Sequence, residues 1–146
     1  MQNLISINAV NDKYRDAIIG LLQSEKLPVE DLPADLKNFF VAIDNGSVVG
    51  AIGLEVYDQN GLLRSLIVKS EYRKMKLATR LINELENLSR SIGLKSIYLL
   101  TETAREYFDK KGYTAIDRNK APVSIKQSSE FSHVCPSTAV LMQKNI

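Results

Sequence analysis

The sequence predicts an α+β domain on a mixed sheet, antiparallel in its first half and parallel in its middle. Three observations carry that prediction. Asn45-Gly46 stands between the apolar runs Phe39–Ile43 and Ser47–Tyr57, and both turn residues tolerate the positive φ of a tight hairpin. Leu77, Ala78, Leu81, Ile82, Leu85, Leu88 and Ile92 then recur at three- and four-residue steps, the buried stripe of a helix. Ile97–Leu100 follows as a short unbroken apolar run, as in a parallel strand covered on both faces.

The elements can be justified in chain order. Leu4–Ala9 alternates apolar and polar, as a half-buried strand does. Asn11 or Asp12 can cap a helix whose apolar residues Ala17, Ile18, Leu21 and Leu22 share one face. Pro28 and Pro33 punctuate a loop, and Leu32–Asn38 is a candidate short helix. The hairpin Phe39–Tyr57 continues through the turn Asp58-Gln59-Asn60-Gly61 into a third strand, Leu62–Val68, which completes an antiparallel meander. A charged loop leads into the amphipathic helix, which Gly93 can terminate. Leu62–Leu100 is thus a strand–helix–strand crossover. A further helix, Ala104–Lys111, stops at Gly112, and Thr114–Asp117 and Ala139–Gln143 are the last strand candidates.

Composition narrows the function. The chain has 146 residues, 45% hydrophobic and 25% charged, which suits one globular domain spanning 1–146. Nineteen basic against 17 acidic residues leave a net charge of +2, too small to favour nucleic acid as the main partner. No apolar run is long enough for a membrane-spanning helix. The single cysteine, Cys135, and single histidine, His133, exclude an internal disulfide, a multi-cysteine metal site and a His-His motif. No secretory signal pattern opens the chain, so a reducing, cytoplasmic setting is expected.

The basic residues concentrate in one place. Lys69, Arg73, Lys74 and Lys76 fall within eight residues that end where the long helix begins. The first N–H groups of a helix lack internal acceptors and its dipole favours an anion there. A pyrophosphate is the ligand this arrangement suggests; a solvated basic loop is the plain alternative.

The span Leu62–Tyr113 resembles the GNAT superfamily of N-acetyltransferases. That family carries Arg/Gln-x-x-Gly-x-Gly/Ala after a strand ending in Val. Here Val68 is followed by Arg73-Lys74-Met75-Lys76-Leu77-Ala78; Arg73 and Ala78 match, and Lys76 stands at the middle glycine. A second family pattern, Asn-x-x-Ala-x-x-x-Tyr-x-x-x-Gly-Phe, reads here from Thr101 to Tyr113. Ala104, Gly112 and Tyr113 match, while Thr101 replaces Asn and Phe108 replaces Tyr. The segments Gly53-Leu54-Glu55, Gly61–Leu66, Tyr98–Thr101 and Phe131–Pro136 are similar to the subgroup associated with arsenic resistance. Leu99-Leu100-Thr101 and Arg118 are also similar to the acetyltransferase domain of N-acetylglutamate synthase.

The resemblance implies a GNAT-like mixed sheet flanked by helices. It implies acetyl-CoA as cofactor, with Leu66, Ile67, Val68, Arg73, Lys74, Met75, Lys76, Leu77, Ala78, Thr79, Thr101, Ala104 and Phe108 as its contacts. The implied reaction is direct attack of a small, amino-acid-like amine on the thioester. It needs a base for the ammonium proton and a donor for the developing oxyanion. Backbone N–H groups at Leu66–Val68 are the candidate donors. Glu55 is the candidate base, with a solvent-facing strand carboxylate as its alternative; Glu102 is a second candidate.

Arg64, inside an apolar strand, either grips a substrate carboxylate or pairs internally with Glu55. Ser65 alternates to the opposite face from Arg64, and Arg118 is a further carboxylate candidate. Tyr72 is read as a packing anchor beside the loop, and Arg118–Pro136 as a segment closing over the acceptor.

Two departures matter. Lys76 puts a Cβ where a left-handed backbone would disfavour it. Phe108 cannot protonate a leaving thiolate, although a thiol leaves readily. Competing readings are a catalytically weak acyl-CoA-binding regulatory module and a protein N-acetyltransferase; a homodimer stays open.

Overall fold

A computed structural model describes residues 5–10, 12–26, 29, 32, 36–128 and 139–146. Seven strands form one mixed sheet: β1 (Ser6–Ala9), β2 (Phe39–Asp44), β3 (Ser47–Tyr57), β4 (Asn60–Val68), β5 (Ser96–Thr101), β6 (Thr114–Ile116) and β7 (Val140–Asn145). Their hydrogen-bonded order is β1-β2-β3-β4-β5-β7-β6. The helices are α1 (Arg15–Ser24), α2 (Leu77–Ser91), α3 (Arg105–Lys110) and α4 (Val123–Lys126). The fold is α+β, with β4 and β5 as the parallel pair.

Close contacts divide the chain into two compact units, Met1–Leu54 with Ser65–Leu88, and Glu55–Arg64 with Ser89–Ile146. In the first, β1 pairs antiparallel with β2, and β2 with β3, through a register shift between Ala42 and Ile43. Asn45 and Gly46 take φ of 50° and 78°, the positive values a two-residue hairpin turn requires. From α1, Ile18, Leu21 and Leu22 pack against Phe39, Val41, Ala51 and Ile67. Ile18 and Leu22 are fully buried, and each such side chain contributes roughly 1.5–3 kcal/mol by leaving water. Leu77, Leu81, Ile82 and Leu85 bury most of the predicted stripe of α2, whereas Ile92, expected on it, lies past the helix end and is 47% exposed. Gly50 lets Leu81 approach: a Cβ there would lie 3.3 Å from Leu81 Cδ1 and 3.2 Å from the Ile67 carbonyl oxygen.

In the second unit, β5 pairs antiparallel with β7 along six residues, and β7 pairs with β6. Leu62, Tyr98, Ala121, Ile125 and Leu141 form its core. The parallel ladder of β4 with β5 is three pairs long, from Asn60 opposite Ser96 to Leu62 opposite Tyr98.

Several boundaries differ from the sequence reading. Asn60 and Gly61 belong to β4 rather than to the preceding turn, and β7 runs two residues past Gln143. Among the described residues of Leu32–Asn38 no helix forms; Lys37 and Asn38 make a turn. Of the predicted first strand, Leu4 lies outside the described residues, as do Asn11, Pro28, Pro33 and Phe131–Pro136 with His133 and Cys135.

Candidate functional site

The basic loop is an ordered turn. Ser70–Met75 forms a 3-10 turn, and Lys76 closes it with φ 59° and ψ 26°, the left-handed region. The Lys76 carbonyl accepts from Arg80 N–H at 3.2 Å, so α2 starts immediately behind it. Leu77 is buried, Ala78 and Thr79 half-buried, and Lys76, Met75 and Arg73 exposed. The first amides of α2 have no acceptor within their own helix, which is the property an anion site uses. Lys76 thus carries the backbone conformation that the matched glycine would adopt without strain.

Four hydrogen bonds and an ion pair hold this loop in place. Lys69 N–H donates to the Val49 carbonyl at 2.8 Å, and Arg80 Nη2 donates to the Ile5 carbonyl at 2.8 Å. Arg73 Nε donates to the Val68 carbonyl at 3.1 Å, bringing the loop cation back to the end of β4, and its guanidinium also pairs with Glu25. Tyr72 Oη donates to Asp44 Oδ2 at 2.5 Å. Tyr72 is therefore more than a packing anchor. That bond to a carboxylate raises the phenol's pKa, assisted by desolvation and by the charges of Asp44 and Glu71. Within the loop, the Ser70 hydroxyl donates to Glu71 at 2.9 Å and lowers the Glu71 pKa; its own backbone N–H and Lys69 lower it further.

The middle of β4 breaks its alternation. Ser65 has φ 58° and is half-buried, as is Leu66, whereas Leu62, Leu63 and Arg64 are buried in succession. Ser65, expected to face opposite Arg64, takes the left-handed region, which interrupts the regular pleat of the strand at that point.

Arg64 Nη1 donates to Glu55 Oε2 at 2.6 Å, and Tyr57 donates to Glu55 Oε1. The Arg64 side chain is 1% exposed and that of Glu55 13%. The internal pair, one of the two readings open for Arg64, is the arrangement present. Glu55 is accordingly not a solvent-facing strand carboxylate. Both its oxygens already accept, and each keeps a further lone-pair site.

The second motif is built around a cap. Thr101 Oγ1 accepts from Ala104 N–H at 3.0 Å and so fixes the turn before α3. Phe108 is 4% exposed and packs edge-to-face on Tyr113 and Tyr107, with ring centroids 5.5 and 5.4 Å away. The Tyr107 ring is half-buried beneath the Lys111 ammonium, 5.4 Å from its centroid. Arg118 is half-buried and donates to the Ala139 carbonyl at 2.9 Å. Glu102 is exposed.

Sequence reasoning missed Tyr57, Asp44 and Glu25. Tyr57 had a signal, since residues two apart on a strand share a face. Asp44 and Glu25 had none, because each meets its partner from far along the chain. Among the described residues no cluster of three metal-ligating side chains occurs, and no helix is long and apolar enough to cross a membrane.

The geometry meets its parallels in known proteins. The model of the acetyltransferase (GNAT) family matches residues 8–113. An uncharacterized N-acetyltransferase of Chlorobaculum tepidum is 28% identical over 121 residues, covering 82% of this chain and 75% of the relative. An amino-acid acetyltransferase of Pseudomonas fluorescens is 27% identical over 95 residues, covering 64% of this chain; the match spans only 22% of that longer relative. N-acetylglutamate synthase from Neisseria gonorrhoeae, complexed with coenzyme A and N-acetyl-glutamate, superposes with a TM-score of 0.83 at 15% identity. That match covers 99% of this chain and 36% of the synthase.

Proposed function

Because the chain belongs to the acetyltransferase (GNAT) family, we propose that it transfers acetyl from acetyl-CoA to the amine of a small, amino-acid-like molecule. The observation that carries this reading is the turn Ser70–Met75, closed by left-handed Lys76 at the start of α2. The residues fit a pyrophosphate: main-chain N–H groups of Leu77, Ala78 and Thr79 at a helix start, with Lys69, Arg73, Lys74 and Lys76 supplying positive charge. Met75 contributes main chain. Thr101, Ala104 and Phe108 are proposed as further cofactor contacts.

Bound acetyl-CoA supplies an activated thioester. The chain's own residues do the rest. Main-chain N–H groups of Leu66, Ile67 and Val68 stabilise the charge that develops on the carbonyl oxygen. Glu55 takes the ammonium proton, through water, on the lone pairs left open by Tyr57 and Arg64. Arg64 orients Glu55, and Ser65 and Arg118 address the acceptor. The amino-acid class is supported by the relatives named amino-acid acetyltransferase and by the likeness to a synthase holding N-acetyl-glutamate. A cytoplasmic setting belongs to the same proposal.

Thiol release from acetyl-CoA over a panel of amino acids, other small amines and peptides tests the reading. Turnover is expected to be fastest with an amino acid. Glu55→Gln is expected to slow it about a hundredfold and to remove the acidic limb of the pH–rate profile. An unaltered profile removes Glu55 as base, and a preference for peptides selects a protein N-acetyltransferase. One observation favours a second reading. Phe108 places a core ring without a hydroxyl at the matched tyrosine. Binding of acetyl-CoA without turnover on any amine would select an acyl-CoA-binding regulatory module.

A further inference from the structure

We propose that Asp44 and Tyr72 are positioning residues for the phosphate-binding loop: Asp44, fixed at the end of β2, grips the Tyr72 phenol and holds the turn in the form that places Lys76 left-handed at the head of α2. This rests on the reading of residues 69–79 as that loop.

Three observations carry it. Lys76 occupies a conformation that disfavours any residue with a Cβ, so the turn competes with relaxed alternatives. The loop's outer anchors lie at its two ends, where Lys69 bonds to Val49 and Arg80 to Ile5. Between them, Tyr72 and Arg73 make the side-chain ties to distant parts of the chain. The Arg73–Glu25 pair is open to water, with side chains 54% and 37% exposed, so solvent and salt weaken it.

The Tyr72–Asp44 bond is better protected. Asp44 is 7% exposed, Tyr72 is half-buried, and the 2.5 Å bond joins residues 28 apart in sequence. Asp44 is itself fixed, as the last residue of β2, paired with Ser47 across the hairpin turn. A bond from a phenol to a carboxylate is of the stronger, charge-assisted kind. Its loss lowers the fraction of molecules whose loop is ready to bind, and the apparent dissociation constant rises by the same factor.

Calorimetric titration with acetyl-CoA tests the proposal on Tyr72→Phe, Asp44→Ala, Lys76→Gly and the double variant Tyr72→Phe/Lys76→Gly. Each is checked for cooperative melting. Tyr72→Phe and Asp44→Ala are each expected to raise the dissociation constant roughly tenfold, the scale of one charge-assisted hydrogen bond. Lys76→Gly supplies the reference background: it removes one loop cation and lets glycine take the left-handed form unaided. In that background Tyr72→Phe is expected to raise the dissociation constant by less than about threefold, against the roughly tenfold loss with lysine present.

Equal binding by Tyr72→Phe and the parent overturns the proposal. So does an identical loss on removing the phenol with lysine or glycine at position 76, since a merely structural tie would cost the same in both backgrounds. If either single variant fails to fold, the other carries the comparison. If the parent binds no acetyl-CoA, the function proposed above falls and this role with it. If the parent binds and the variants match it, that function stands and only the positioning role falls.

Discussion

Lys76 holds a backbone conformation, φ 59°, that costs a lysine about 1 kcal/mol more than a glycine. The sequence pointed to that position because a family glycine was missing there, and the structure gives it a left-handed backbone, which glycine adopts without strain. Tyr72 makes the complementary point. Its bond to Asp44 raises its pKa above the ordinary tyrosine value of about 10. A raised folded-state pKa means that the stability from this bond is complete below the ordinary tyrosine range and lost as pH climbs through the raised value. The phenolate absorbance of the parent minus that of Tyr72→Phe is therefore expected to titrate later than an exposed tyrosine. The subtraction is needed because burial also raises the Tyr98 pKa. A difference signal centred near pH 10, about the model-peptide value, would contradict the bond. Neither partner was legible as a pair, because no local pattern links residues 44 and 72. The Glu55–Arg64 pair was legible as one of two readings, since an arginine in an apolar strand needs a partner.

Elements were legible in proportion to their length and regularity. The stripe of α2 spans four turns and was placed from Leu77 onward, where the helix begins. The hairpin strand Ser47–Tyr57 was read to the residue, because Asn45-Gly46 fixes one end and Asp58-Gln59 the other. By contrast α4 has only four residues, too few to show a period, and was missed. The break at Ser65 was also invisible, since nothing in Leu63-Arg64-Ser65-Leu66 marks a left-handed residue.

One element-scale prediction follows from the β2–β3 ladder. Phe39 and Gly53 are register partners, and the Phe39 ring lies where a Cβ on Gly53 would stand. Phe39 is 1% exposed and cannot swing into solvent without opening the core. Gly53→Ala is expected to destabilise the protein by roughly 1–3 kcal/mol in urea unfolding, the range for overpacking a core. A stability within about 0.5 kcal/mol of the parent, the spread of ordinary surface substitutions, would show that the ring has room to move.

For the whole molecule, the net charge of +2 matters less than its placement. The cations gather on one ordered turn at the head of a helix, which suits a single polyphosphate group better than an extended nucleic-acid backbone. The placement of that group on this turn is a proposal that rests on the matched motif residues Arg73 and Ala78. The acceptor was the least legible part, because Arg64 is engaged by Glu55, and Arg118 by a main-chain carbonyl. The most direct measurement is a calorimetric titration of the parent and Arg73→Ala with acetyl-CoA. Saturable binding is expected for the parent, with a dissociation constant on the order of micromolar to hundreds of micromolar. Arg73→Ala is expected to bind roughly tenfold more weakly. No heat with the parent, or equal affinity in the two proteins, would contradict the assignment of this loop.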